Sequence, residues 1–156
     1  MTHAAPRIDY RKQSPKPIQH LLNIEAYLAG CGLDHGLLHL IKMRASQING
    51  CAYCLDMHSK DARAAGESEQ RLYALPAWRE APFYSRRERA ALAWTEAVTR
   101  LTDGPVPEAL YGELREHFSE KEAVDITMAV IAINGWNRLA AVFRSPQPGS
   151  YQPPQK

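Results

Sequence analysis

The spacing of apolar residues is the feature that most constrains the fold of this 156-residue chain. Apolar side chains recur every three or four residues along most of the sequence, and no segment alternates apolar and polar residues for long, so the pattern predicts helices rather than strands. The run through Ile126, Val130 and Ile133 is apolar nearly all round, which suits a central or subunit-interface helix. We predict an all-α fold, a single compact domain of about six to seven helices.

Start and stop signals divide the predicted helices. Asp34 is a suitable N-cap for a helix that ends at the Asn49-Gly50 pair. Ser85 with Glu88, and Ser119 with Glu122, follow the S-x-x-E pattern of a capping box, so each predicts a helix start. The second of these helices is expected to run to about Arg144.

Proline-rich segments lie at both ends of the chain. We expect residues 1–17 to form an extended arm that drapes over a neighbouring surface, and residues 145–156 to form an extended or disordered tail. Helices in a chain of this size cannot easily bury every apolar face alone, chiefly that of 123–143, so a homo-oligomer is expected.

Charge and composition exclude several function classes. The formal net charge is only +2 and acidic and basic residues are well mixed, so no nucleic-acid partner is predicted. No stretch of about 18 consecutive apolar residues occurs and no secretory signal is recognisable, so we expect no membrane association and a cytoplasmic location. Three cysteines, two of them in a C-x-x-C pair, do not fit the framework of a disulfide-stapled secreted domain.

The segment from Asn49 to His58 carries the candidate chemistry. If Asn49 caps a helix, Cys51 lies in its first turn, where free backbone N–H groups favour a thiolate. Cys54 follows three residues later and His58 four residues after that, so the three side chains share one helix face. His58 is then placed to take a proton from Cys54, making Cys54 the candidate peroxide-attacking thiol and Cys51 the resolving thiol. The reverse assignment of the two cysteines stays open.

Other interpretations of the pair compete with redox chemistry. Cys51 and Cys54 could be two packed cysteines, or they could bind zinc together with His58 and either His35 or His39. Structural zinc sites usually draw ligands from separate elements, which disfavours the second interpretation. Cys31 has no basic neighbour and is predicted to be a small packed residue.

The stretch from Met43 to Gly66 resembles the core of the alkylhydroperoxidase AhpD-like proteins of the carboxymuconolactone decarboxylase superfamily, and the similarity extends more loosely through residues 92–98 and 133–138. This resemblance implies an all-helical oligomer, commonly a trimer or hexamer, that acts as an antioxidant peroxidase. It implies hydroperoxide reduction through Cys51 and Cys54, with His58 as the proton carrier and a lipoyl or thioredoxin-like protein as dithiol electron donor. No metal or organic cofactor is expected.

The family's relay glutamate does not map onto this sequence. Its position, twelve residues before Cys51, holds His39, which can pass protons but cannot polarise His58 as a carboxylate does. Glu96, which lies in an otherwise small and apolar run, is the candidate substitute; alternatively it is an exposed helix acid paired with Arg100. The intact cysteine pair argues against the decarboxylase reaction of the superfamily.

Three functions therefore follow from the sequence as hypotheses. The first is a hydroperoxide reductase that uses Cys54, Cys51 and His58. The second is a protein disulfide reductase or redox-sensing module with weak peroxidase activity. The third is a non-catalytic oligomeric scaffold or zinc protein.

Overall fold

Helices form all of the regular structure that is seen in residues 5–153, the part of the chain described by this computed structural model. This confirms the predicted all-α fold. The helices are α1 Tyr10–Gln13, α2 Pro15–Ala29, α3 His35–Asn49, α4 Ala52–Ala64, α5 Glu69–Ala74, α6 Arg86–Thr99, α7 Glu108–His117 and α8 Glu120–Phe143. Two 3₁₀ turns, Leu75–Ala77 and Leu101–Asp103, follow α5 and α6.

The predicted caps begin the main helices. Asp34 accepts the backbone N–H of Leu37 at 2.9 Å and starts α3. Ser85 and Ser119 each form a complete capping box, at the starts of α6 and α8. These contacts satisfy backbone donors that would otherwise be unpaired, and they fix where each helix enters the core.

The N-terminal arm is shorter than the sequence indicates. The prediction of an extended segment over 1–17 is wrong from Tyr10 onward, because α1 begins there and Pro15 opens α2. Proline fits the first turn of a helix, where its missing N–H would have had no partner. The backbone N–H of Arg7 donates to the carbonyl of Phe143 at 2.9 Å, so the arm does lie on the end of α8. Residues 1–4 of the predicted arm lie outside the described residues.

The C-terminal tail is non-helical, as predicted, and it packs along α4. The backbone N–H of Gly149 donates to Asp56 at 3.0 Å, and the hydroxyl of Tyr151 donates to Asp61 at 2.6 Å. Lys60 also donates to the carbonyl of Tyr151 at 2.9 Å. Two carboxylates and one ammonium of α4 thus hold the tail, of which residues 154–156 lie outside the described part.

Helices α3, α6 and α8 form the centre of the molecule. Helix α8 buries Ile126, Val130 and Ile133 completely, and it also buries the polar Asn137. By length and composition α8 is the one helix within 5–153 that could cross a membrane, but core helices share these properties. Its packing against α2, α3 and α6 and its buried Asn137 identify it here as a core helix.

Candidate active site

The two cysteines of the C-x-x-C motif form a disulfide at the start of α4. Their Cα atoms lie 5.4 Å apart, and both residues are buried. Gly50 ends α3 in the left-handed conformation, with φ of 64°, which a residue with a side chain rarely adopts. This turn leads the chain directly from α3 into the reactive helix α4.

Cys51 itself is the N-cap of α4, so the prediction that Asn49 caps this helix is wrong. The Sγ of Cys51 accepts the backbone N–H of Cys54 at 3.4 Å. Asn49 has other partners, because its side-chain amide donates to the Oδ1 atoms of Asn134 and Asn137, both at 2.9 Å. The positive end of the helix therefore faces the Cys51 sulfur directly, where it stabilises a thiolate after reduction.

Cys54 and His58 line the same cavity, which we call the histidine cavity and which has a volume of about 260 Å³. His58 is buried, and its Nδ1 has no hydrogen-bond partner among the described residues. Burial, reinforced by the nearby positive charge of Lys42, lowers the pKa of His58 to about 3. With the disulfide intact, His58 is therefore a neutral imidazole at physiological pH.

Side chains from distant parts of the sequence complete the histidine cavity. Lys42 of α3 forms a salt bridge with Glu25 of α2, and the indole N–H of Trp136 donates to Glu25 at 3.1 Å. Asp61 also lines the cavity. The sequence analysis did not identify these four residues, although a charged Lys42 between the apolar Ile41 and Met43 is a signal of an unusual environment.

His39 lies beside His58, as its place in the family pattern allows. The two ring centroids are 6.4 Å apart, and the Nδ1 of His39 is also buried without a partner among the described residues. Burial lowers the pKa of His39, while the carboxylate of Asp61 opposes that shift. His39, at the position that the sequence resemblance gives to a glutamate, therefore has a neutral ring, and the carboxylates of Asp61 and Asp34 are the negative charges that act on it.

Glu96 lies elsewhere, and neither expectation for it fits the structure. Its side chain is buried rather than exposed and accepts hydrogen bonds from Trp78 at 2.9 Å, Arg44 at 2.7 Å and Arg79 at 2.6 Å. Burial alone would raise the pKa of Glu96, but these three donors outweigh it and hold that pKa below its usual range. Glu96 does not line the histidine cavity and its oxygens are occupied, so the structure gives it a structural role and not contact with His58.

Cys51 lines a second cavity, which we call the tail groove. Its volume is about 340 Å³, and its walls are the start of α4, the end of α8 and the tail at Pro146, Gln147 and Pro148. Arg144 is the charged side chain of this lining. The two cysteines of the disulfide therefore line different cavities, Cys54 the histidine cavity and Cys51 the tail groove.

The structure also locates the residues of the zinc interpretation. Cys51 and Cys54 are joined to each other, and no cluster of three or more His, Cys, Asp or Glu suited to a metal is found within residues 5–153. Cys31 is unbonded, partly buried and packed against the main core cluster, which confirms its prediction as a small packed residue.

Comparisons with known proteins identify the family of this chain. The profile of the carboxymuconolactone decarboxylase family matches residues 15–97. The uncharacterized protein YdfG of Bacillus subtilis is 42% identical over 134 residues, which are 86% of this chain and 91% of YdfG. The family match includes Cys51, Cys54 and His58.

Solved structures share the fold. A protein of unknown function from Agrobacterium tumefaciens, described as a candidate antioxidant defence protein AhpD, superimposes with a TM-score of 0.87 at 45% identity, covering 97% of this chain and 100% of that one. The debrominase Bmp8, solved with 2,3,4-tribromopyrrole, gives a TM-score of 0.79 at 22% identity, covering 89% of this chain and 74% of Bmp8. At that identity only the fold is shared, and the fold alone does not determine the substrate.

Proposed function

Because this chain belongs to the carboxymuconolactone decarboxylase family and is AhpD-like, we propose that it reduces hydroperoxides with the thiols of Cys51 and Cys54. The observation that carries this proposal is that the buried residues Cys54 and His58 line one cavity, with a disulfide partner at Cys51. A small cavity that holds a thiol and a neutral base suits a small oxidant.

The reaction begins from the reduced pair. In the reduced protein the Cys54 thiolate stabilises the imidazolium beside it and raises the pKa of His58, so His58 accepts the proton of the Cys54 thiol. The thiolate then attacks the distal oxygen of the hydroperoxide. The O–O bond breaks, the alcohol leaves with a proton returned by the imidazolium, and Cys54 becomes a sulfenic acid. The peroxide has then gained two electrons and the sulfur has lost them.

Resolution regenerates the disulfide seen in the structure. Cys51, whose thiolate is stabilised by the helix N-terminus, attacks the sulfur of Cys54 and displaces hydroxide. The hydroxide leaves as water after taking the proton lost by Cys51. A dithiol donor must then reduce the disulfide to complete the cycle.

Burial of the disulfide favours small reactants over protein disulfides. Cys51 is 3% exposed and Cys54 is 1% exposed, so a folded partner cannot bring its own disulfide against either sulfur without opening the site. We therefore prefer the peroxidase over the protein disulfide reductase, and a lipoyl arm over a thioredoxin-like protein as donor. We therefore expect the protein to reduce the disulfides of insulin slowly and to turn over hydroperoxide rapidly.

Single substitutions at the cysteines test the proposal. We expect Cys51→Ser and Cys54→Ser each to abolish dithiol-dependent peroxide turnover, because both sulfurs are needed for the cycle. Dimedone should label Cys54 as a sulfenic acid in Cys51→Ser, and it should label nothing in Cys54→Ser. Cys31→Ser, which alters a thiol outside both cavities, is the matched control and should keep normal turnover. Undiminished peroxide consumption by both single variants would refute the proposal.

We also propose that the chain forms a homo-oligomer, a trimer or hexamer, through α8. Val124, Ile131 and Val142 are 50–61% exposed and lie seven and eleven residues apart, so they form one apolar stripe on the outer face of the helix. Such a stripe is typical of a subunit interface. Light scattering coupled to gel filtration should give several times 17.5 kDa, and Ile131→Glu should lower that mass. A cytoplasmic location stays a prediction from the sequence.

A further inference from the structure

We propose that the tail groove is the site where the reducing dithiol binds, and that the dithiol attacks Cys51 rather than Cys54. This inference rests on the proposed function, since it assigns the reduction of the Cys51–Cys54 disulfide, which completes that cycle, to the tail groove. It follows from the two cysteines lining different cavities, Cys51 the tail groove and Cys54 the histidine cavity.

Disulfide exchange requires a particular direction of approach. A thiolate attacks one sulfur along the S–S axis, from the side opposite the sulfur that leaves. A nucleophile that attacks Cys51 must therefore come from the side away from Cys54, and the tail groove opens beside Cys51. A nucleophile that attacks Cys54 would have to pass through the histidine cavity.

The two cavities differ in a way that suits different reactants. The histidine cavity is the smaller, about 260 Å³ against about 340 Å³, and its wall carries Arg11 and Lys42 against the carboxylates of Glu25 and Asp61. These charges balance, so this wall does not attract a thiolate. The tail groove carries the guanidinium of Arg144 and no acidic side chain among its lining residues, so its charge favours the anion that starts the exchange.

The exchange then proceeds with balanced electrons. One thiolate of the dithiol bonds to the Cys51 sulfur, and the Cys51–Cys54 bond breaks with Cys54 leaving as a thiolate in the histidine cavity. The second thiol of the donor loses its proton and attacks its own bound sulfur, which releases Cys51 as a thiolate at the helix N-terminus. The donor leaves as a cyclic disulfide, having supplied the two electrons that the cysteines gain.

This route delivers the new thiolate to the place where it is needed. The first group released is the Cys54 thiolate, which lines the cavity of His58 and is the peroxide-attacking group in our proposal. The donor occupies the tail groove, which Cys54 does not line, during this step. Peroxide and dithiol therefore need not exchange places in one cavity.

A bulky side chain in the tail groove tests the inference. Ala141 is an exposed residue of α8 in the groove lining, and Ala141→Trp should fill the groove. We expect the rate of disulfide reduction by dihydrolipoamide to fall about tenfold or more, because access to the attacked sulfur limits exchange. Oxidation of the pre-reduced variant by hydrogen peroxide, measured in a single turnover, should change less than about twofold. Ala64→Trp, at an exposed position of α4 that lines neither cavity, is the matched control and should reduce normally.

A trapping experiment identifies the attacked sulfur directly. The oxidised native protein is treated with 2-mercaptoethanol, the released thiolate is alkylated at once with N-ethylmaleimide, and the peptide holding both cysteines is fragmented in a mass spectrometer. We expect the mercaptoethanol adduct on Cys51 and the maleimide on Cys54. The opposite arrangement, or normal reduction of Ala141→Trp, would overturn the inference.

A variant of the histidine cavity separates the two routes. Leu22→Trp narrows that cavity, and slower dithiol reduction in this variant than in Ala141→Trp would also overturn the inference. These experiments do not depend on peroxide. If the pre-reduced native protein failed to consume hydroperoxide, the proposed function would fail while the place of thiol attack could still be read from the adducts.

Discussion

Acid should weaken this fold through His58, and the size of the effect can be worked out from the structure. The pKa of this imidazole is about 3 in the folded protein, against an ordinary value of 6.5. Between these two values the unfolded chain binds a proton that the folded chain does not, so stability falls as the pH falls through that window. One unit of pKa difference corresponds to about 1.4 kcal/mol, so lowering the pH from about 7.5 to about 4.5 should remove about 3 kcal/mol through this group alone.

Urea unfolding of the oxidised protein at those two pH values measures the effect. Other groups also titrate in this range, so the informative quantity is the difference between the native protein and His58→Leu, which cannot take up the proton. The loss of stability in acid should be about 3 kcal/mol smaller in the variant than in the native protein. The disulfide must stay intact, because a thiolate beside His58 would raise its pKa.

A surface histidine provides the control. His20 is exposed on α2, and His20→Leu should lose as much stability in acid as the native protein does. If His58→Leu also lost as much as the native protein, within about 0.5 kcal/mol, His58 would not be a neutral buried group and our account of its environment would be wrong.

Three further perturbations test other parts of the structure. Glu96→Gln should lower the free energy of unfolding by about 3 kcal/mol, because the nearly buried Arg44 loses its charged partner; a loss below about 0.5 kcal/mol in urea unfolding would contradict this. His39→Glu, which restores the residue type of the family pattern, should raise the pKa of His58 because a carboxylate stabilises imidazolium; an unshifted His58 titration in NMR spectra would contradict this. Ile126→Ala should lower the free energy of unfolding by about 2–5 kcal/mol because it leaves a cavity in the core. Val124→Ala, on the outer face of the same helix, should lower it far less in a monomeric background. Equal losses of stability would contradict the assigned orientation of α8.

The fold was predictable where local chemistry decides it. The capping residues Asp34, Ser85 and Ser119 act on neighbouring backbone groups, so their pattern in the sequence is sufficient to predict three helix starts. The start of α2 was missed because a proline can either end an extended segment or open a helix, and only the packing around Pro15 decides between the two.

The site was predictable only along one helix. Cys51, Cys54 and His58 follow from the spacing of a single element. Glu25 and Trp136 are separated by 111 residues and meet only through the packing of α2 against α8, which no local pattern encodes. Both predictions for Glu96 failed for the same reason, because its partners Arg44 and Arg79 come from other segments.

Besides the redox role that we propose for it, the sulfur of Cys51 caps the start of α4 by accepting the backbone N–H of Cys54. A sulfur atom keeps lone pairs as a free thiolate, as half of an internal disulfide and as half of a bond to a donor. The first turn of α4 can therefore keep the Cys51 sulfur as its hydrogen-bond acceptor at each stage of the proposed cycle. Oxidation and reduction would then exchange covalent partners without unwinding the segment that aligns Cys54 with His58, so successive cycles would begin from the same geometry.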